Sequence, residues 1–246
     1  MIIIERTEVF GWEHAIRGMR NPMNSWDKSD TKTIHIPEIP RLDYSGNVVE
    51  MIPEHDAVVV THKDEEWCGV GKNDLTLMKK LASAGTDHRK FMRMIIVYVD
   101  VTAPLYWWKE ADTYKVGTTA NSCSTMHKIA AKEFTLDDFS HDHLFNDAVV
   151  YNGYVSTSVL ECVIGALNEF RNLYLETKDK RYWWQMIQLL PSSYNQRRTI
   201  QLNYEVLLNM YHARKNHKLD EWHEFCKWIE TLPYFKEICL GGEENE

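Results

Sequence analysis

Apolar positions along the chain recur at two spacings, near 2 and near 3.6 residues, and Pro, Gly and Asn punctuate them. Met1-Ile-Ile-Ile4 runs straight into Glu5-Arg6 and predicts a first strand. A first helix contains Glu13 to Met19 and stops at Arg20-Asn21-Pro22, because a proline disfavours helical backbone in the residue before it. Asn24 to Asp30 is polar and predicts a loop. Thr33 to Pro53 holds three prolines with few periodic apolar positions and predicts an irregular excursion; Ala57 to Thr61 predicts a short strand. Asp74 stands as the cap of a helix that buries Leu75, Met78, Leu81 and Ala82, with Gly85 closing it. Met94 to Val101 is rich in Ile and Val and predicts a strand; Thr102-Ala103-Pro104 then opens a helix running from Leu105 to about Tyr114. Gly117 to Ser124 is small and polar and predicts a loop.

Ser156 or Thr157 starts a long helix whose inward face carries Val159, Val163, Leu167, Phe170 and Tyr174. Arg181 to Leu190 forms another, stopped by Pro191. Asp220 caps a last one, with Trp222, Phe225, Cys226 and Ile229 as its apolar stripe. Gly241 to Glu246 is an acidic tail expected to fray. The pattern contains no repeat and no linker. It predicts a single α+β domain over residues 1–246, with more helix than strand and a small antiparallel or mixed sheet.

Composition narrows the classes. The 246 residues are 44% hydrophobic and 26% charged, as in a soluble globular protein, and no apolar stretch is long enough to span a bilayer. No signal peptide opens the chain, and the five cysteines are scattered without a C-x-x-C pair; reduced thiols in the cytoplasm are the expectation. The formal net charge of −8 disfavours nucleic acid as a partner, although a local basic cluster can still hold a small anion. Nine tryptophans, four of them in the pairs Trp107-Trp108 and Trp183-Trp184, suit cores and subunit interfaces.

The most informative stretch is residues 190–222. Arg197 follows the Leu190-Pro191 turn, and Asn203, Leu207, Met210 and Arg214 fall on one face at helical spacing. Two guanidinium groups converging on one anionic guest in a pocket explain that pattern, since a planar fork grips two phosphate oxygens. An ion-pair network could use the same residues. The Gly117–Thr125 loop, rich in hydroxyls, could let backbone N–H groups approach an anion, but it lacks the P-loop pattern and could equally be a connector. Cys123 has no identifiable base beside it and reads as an inert thiol. The segment from Arg17 to Ser29 is dense in hydrogen-bonding types: Asn21, Asn24 and Ser25 could read a base edge, or the segment could be a capped helix end. His141-Asp142-His143 is poorly spaced for a metal and reads as a surface pair.

Two of these segments resemble one family. Ile95-Ile-Val-Tyr-Val-Asp-Val-Thr-Ala-Pro-Leu-Tyr-Trp-Trp-Lys-Glu-Ala-Asp-Thr-Tyr-Lys115 is similar to the strand, Ala-Pro and helix that lead into the signature of flavin-dependent thymidylate synthases, and residues 190–222 resemble that family's C-terminal Leu-Pro turn, Arg, Asn and Arg. The helix from Asp74 to Gly85 matches in position. Residues near 30–70 and 130–155 are unmatched and read as insertions. The family's Arg-His-Arg signature, followed after seven residues by Ser, is replaced by Thr113-Tyr114-Lys115 and Cys123; the Gln before it is Glu110, and Met94 stands where a His is usual.

The resemblance implies a homotetramer with sites between subunits, binding FAD and dUMP, with methylenetetrahydrofolate supplying carbon and NADPH supplying electrons. It assigns Arg197 and Arg214 to holding and polarising the nucleotide, with Arg214 the candidate catalytic group. Ser122, Cys123 and Ser124 would contact its phosphate; Tyr114, Lys115 and Asn203 would hold the flavin. The expectation is a divergent enzyme acting on dUMP or a related pyrimidine monophosphate by reductive one-carbon transfer. The alternative is a non-catalytic nucleotide-binding or interaction protein on the same scaffold, which loss of the signature favours.

Overall fold

In the computed structural model, residues 1–31, 40–42, 48–51 and 69–241 are described. The expected strand at Ala57 to Thr61 and the acidic tail beyond Gly241 lie outside them. In chain order the elements begin with β1 (Ile3–Phe10), α1 (Trp12–Arg20), β2 (Pro40–Leu42), β3 (Val48–Met51), α2 (Lys72–Ser83), β4 (Ile96–Pro104) and α3 (Leu105–Ala111). They continue with β5 (Thr119–Ser122), α4 (Thr125–Lys128), β6 (Val149–Tyr151), β7 (Tyr154–Val155), α5 (Ser156–Thr177) and α6 (Lys180–Leu189). The chain then forms β8 (Asn195–Asn203), α7 (Tyr204–Arg214), α8 (Asp220–Glu230) and α9 (Phe235–Cys239). Four strands make one sheet in the order β1-β4-β8-β5, and β5 runs antiparallel to β8, with Thr119 opposite Gln201 and Ser122 opposite Arg198. β2–β3 and β6–β7 are two separate antiparallel hairpins. The architecture is α+β with a small sheet, as expected.

Four local readings need correction. Residues 102–104 do not open a helix: β4 runs through Pro104, and α3 begins at Leu105 and ends at Ala111. Its first N–H groups donate to the Leu-Pro turn, Leu105 N to Tyr194 O at 3.0 Å and Tyr106 N to Ser192 O at 3.1 Å. Part of the Gly117–Ser124 loop is the exposed strand β5. Part of the 33–53 excursion is the β2–β3 hairpin. Asp74 is not a cap: it is buried inside α2, while Asp30 accepts from Asn73 N at 2.9 Å and Asp74 N at 3.1 Å.

The chain divides into two compact units. The first comprises Met1–Thr7, Tyr98–Gln201 and His212–Trp228; the second comprises Glu8–Val97, Leu202–Tyr211 and Ile229–Glu246. The first unit has an apolar cluster of Ile129, Phe134, Phe139, Leu160, Ile164, Leu167 and Met186. In α5 the buried stripe is therefore Leu160, Ile164 and Leu167, whereas Val159 is 38% exposed. Trp107 packs against Trp222 at 4.8 Å and Phe225 at 5.4 Å between ring centroids, and the expected stripe of α8 is buried throughout.

In the second unit Trp12 meets Tyr204 edge-on at 5.6 Å and Tyr234 at 5.5 Å. Gly11 enters α1 with φ of +90°, and a Cβ there would lie 2.1 Å from Met94 O, so only glycine fits. Arg20 and Asp74 form a buried pair at 2.6 Å, and Ser29 and Thr31 also donate to the Asp74 carboxylate. Burial pushes that carboxyl up, but hydrogen bonds from Thr31, Ser29 and Arg20 outweigh it and hold it below the usual range. Arg20 further donates to Ser25 O at 3.1 Å and Lys28 O at 3.0 Å, which ties the segment after α1 back onto the end of that helix.

Candidate functional site

β8 builds the site in the first unit. Its sequence, Asn-Gln-Arg-Arg-Thr-Ile-Gln-Leu-Asn, buries Ile200 and Leu202 and leaves Arg197 half-buried. Cys123 continues the pairing beyond β5, since its N–H donates to Arg197 O at 2.9 Å and its carbonyl accepts from Gln196 Nε2 at 2.8 Å. Ser124 then caps α4 by accepting from His127 N at 3.0 Å. That single turn swings Lys128 beside the sheet.

The result is a cavity of about 340 Å³ lined by Cys123, Ser124, Thr125, Lys128, Lys132, Asp137, Asp138, Tyr194 and Arg197, with Ile129 and Phe134 as apolar walls. Its size falls within the usual range for small-molecule sites. Among the described residues three cationic side chains line it, and each is held differently. Arg197 pairs with Asp100 at 2.7 Å and with Glu5 at 3.4 Å. Lys132 pairs with Asp138. Lys128 has no ion-pair partner among the described residues. The Thr199 hydroxyl and the Arg197 guanidinium hold the Asp100 carboxyl below the usual carboxylate range. Tyr194 is pushed up by burial and by Asp138 nearby.

Arg214 belongs to a second cluster in the same unit. Its Nε donates to the Tyr114 hydroxyl at 3.0 Å and its Nη1 to Glu110 Oε2 at 3.0 Å. The guanidinium carbon lies 4.9 Å from the Trp222 ring centroid and 5.5 Å from that of Tyr114. Arg198 is bracketed in a similar way, 4.2 Å over Trp108 and 2.6 Å from Asp112.

Cys123, Ser124 and Arg197 therefore meet at one cavity. Arg214 does not line it, so the two guanidinium groups do not converge within a single chain. Ser122 lies on β5 opposite Arg198 and does not line the cavity either. Tyr114 is engaged by Arg214, and Lys115 is exposed. Asn203, buried in the second unit at the end of β8, accepts from Val206 N at 3.0 Å and thereby caps α7. His143 pairs with Asp220 at 3.1 Å, and no group of three potential metal ligands occurs among the described residues. Sequence reasoning missed Lys128. Ser124 capping Thr-Met-His-Lys is the signal that places a lysine one helical turn beyond the hydroxyl-rich segment.

No family model matches the chain, and no curated protein sequence is similar to it. Its fold is similar to that of solved structures. Thymidylate synthase X (ThyX) from Helicobacter pylori with FAD and dUMP is 14% identical, with a TM-score of 0.59 over 97% of this chain and 95% of that one. A second structure of the same organism's flavin-dependent ThyX, complexed with FAD and dUMP, is 15% identical with a TM-score of 0.59, covering 97% and 96%. The UMP/dUMP methylase PolB from Streptomyces cacaoi, bound with 5-Br UMP, is 11% identical with a TM-score of 0.58, covering 98% and 94%. At such identities the likeness defines the fold: it is that of the flavin-dependent thymidylate synthases. No helix among the described residues is long and apolar enough to cross a membrane.

Proposed function

We propose that the chain binds a pyrimidine nucleoside monophosphate in the cavity beside β8 and is a divergent methylating enzyme acting on that nucleotide. One observation carries the reading: Cys123, Ser124 and Arg197 line a single cavity together with Lys128, whose ammonium has no ion-pair partner among the described residues. A phosphomonoester carries close to two negative charges, and each charge-assisted hydrogen bond to it contributes about 1.5–3 kcal/mol. Lys128, the Arg197 Nε, which has no partner among the described residues, and the hydroxyls of Ser124 and Thr125 can donate to it. The similar folds that hold dUMP or 5-Br UMP support this choice of ligand.

Arg214 is the proposed polarising group. Glu110 and Tyr114 engage its Nε and Nη1, and Nη2 has no partner among the described residues. In this reading it serves a nucleotide held at a seam between copies, in an assembly taken to be a homotetramer.

FAD comes with the reading, but the residues expected to hold it do not fit it in one chain. The Asn203 amide oxygen caps α7, the Tyr114 hydroxyl is engaged by Arg214, and Lys115 alone is exposed. The Glu110–Arg214 pair, together with Thr113-Tyr114-Lys115 in place of the signature, favours a second reading: a nucleotide-binding protein without catalysis.

Purified protein incubated with FAD, dUMP or both separates the two. Uptake of FAD, seen as retained absorbance in the flavin bands, together with a raised melting temperature in dUMP supports the enzyme. A dUMP shift without flavin uptake supports the binding protein. Saturation a hundredfold above Kd stabilises by about 2.7 kcal/mol, well within reach of a melting curve; no shift with dUMP or UMP ends both readings.

A further inference from the structure

Tyr194 closes the Leu-Pro turn, and its surroundings hold it from three sides. Its N–H donates to Pro191 O at 3.0 Å, its carbonyl accepts from Leu105 N at 3.0 Å, and it bridges antiparallel to Phe139. The ring stands edge-on to Phe139 at 5.6 Å and to Phe134 at 6.3 Å between centroids. The hydroxyl is the part left over. Tyr106, Tyr114, Tyr204, Tyr211 and Tyr234 all spend theirs on protein partners. Tyr194 is half-buried, and its hydroxyl has no hydrogen-bond partner among the described residues. That oxygen is also not among the sealed polar atoms that lack a partner, so it opens to accessible space. The space that Tyr194 lines is the cavity beside β8. A tyrosine held this firmly normally finds a partner for its hydroxyl. Burial and the nearby Asp138 push the phenol up, so the group keeps its proton and can donate.

We infer that the Tyr194 hydroxyl is a ligand contact, donating to a carbonyl oxygen on the edge of the pyrimidine base. The inference rests on the nucleotide reading and adds a residue to it. Charge sorts the cavity. A phosphate is drawn to Lys128 and Arg197 and repelled by Asp137 and Asp138, which line the same space. The flat faces of a base call for apolar walls, and Ile129 and Phe134 supply them. Tyr194 packs against Phe134 and feels Asp138 more strongly than Cys123, whose N–H bonds the Arg197 carbonyl. Its hydroxyl therefore belongs to the base end of the ligand rather than the phosphate end. Because neighbours already fix the ring, a bond to the base costs little side-chain ordering.

Tyr194→Phe tests it, since the change keeps the ring and removes one oxygen. The full chain is titrated with dUMP; deoxyribose 5-phosphate, the same sugar phosphate without the base, is measured by its displacement of dUMP. In Tyr194→Phe the affinity for dUMP is expected to fall about three- to tenfold, with that for deoxyribose 5-phosphate unchanged. The melting temperature should stay within about 2 °C of the wild type, because no bond inside the protein is lost. Tyr182→Phe, at a half-buried tyrosine of α6 that does not line the cavity, leaves both affinities as they are. Undiminished dUMP binding in Tyr194→Phe, an equal loss for deoxyribose 5-phosphate, or a clear fall in melting temperature overturns the inference. Each of these leaves the nucleotide reading standing, since the wild type still binds. A wild type that takes up neither dUMP nor UMP ends both.

Discussion

Arg197 and Arg214 come from one short stretch of sequence, yet their surroundings set them to different work. Arg197 projects from β8, is 39% exposed, and holds Asp100 at the rim of a cavity. Arg214 ends α7, is 15% exposed, and lies against two aromatic rings with both a phenol and a carboxylate as partners. A guanidinium at a cavity rim retains donors for a ligand. One laid on aromatic faces adds cation–π attraction to the fold, and it is more weakly hydrated than an ammonium, so that burial costs it less. Spacing along a helix distinguishes neither case.

The largest test of that difference acts on the shelf beneath Arg214. Trp222 is fully buried against Trp107 and Phe225. Trp222→Ala removes the ring and leaves a cavity, at an expected cost of about 3–5 kcal/mol. The folded fraction should still take dUMP at the cavity beside β8, because that wall is built by β8 and α4. Denaturant unfolding with and without dUMP reads both quantities.

The arginines themselves give the next effect. Arg214→Ala forfeits two cation–π contacts and two hydrogen bonds, about 2 kcal/mol together, which lowers Tm by roughly 4–8 °C in a chain of this size. Arg197→Ala leaves Asp100 still accepting from Thr199 and 3.6 Å from Arg6, so its stability cost stays below about 1 kcal/mol. In the nucleotide reading both variants weaken dUMP binding about tenfold or more. A folded Arg214→Ala with unchanged affinity would restrict that residue to holding the fold.

How much of this could be read in the sequence follows from what each residue type signals locally. The helices α5, α6 and α8 were legible because apolar residues recur at 3.6 and Asp179, Asp220 or Pro191 mark their ends. β8 was not, because seven of its nine residues are polar and only Ile200 and Leu202 alternate. Its strand state comes from its neighbours β4 and β5 rather than from propensity. Asp74 looked like a cap because capping and burial in an ion pair both favour a short carboxylate; only the distant Arg20 decides between them. The cavity was half legible. Arg197, Cys123 and Ser124 stood out, whereas Lys128 needed the one-turn helix α4 to bring it there.

The lysines of the cavity supply the finest test. Both line the same space as Arg197, but Lys132 pairs with Asp138, whereas Lys128 has no ion-pair partner among the described residues. Lys128→Ala should remove one uncompensated positive charge facing the phosphate, weakening dUMP binding about three- to tenfold, near 1 kcal/mol. Lys132→Ala removes a charge already answered and should change affinity about twofold at most, by leaving Asp138 unpaired. Salt sharpens the distinction. Affinity of the wild type should fall between low and physiological ionic strength, and the slope should flatten in Lys128→Ala but not in Lys132→Ala. Titration calorimetry at two salt concentrations measures it. Equal losses in the two variants would mean that net charge alone draws the ligand in, with Arg197 as its one directed contact.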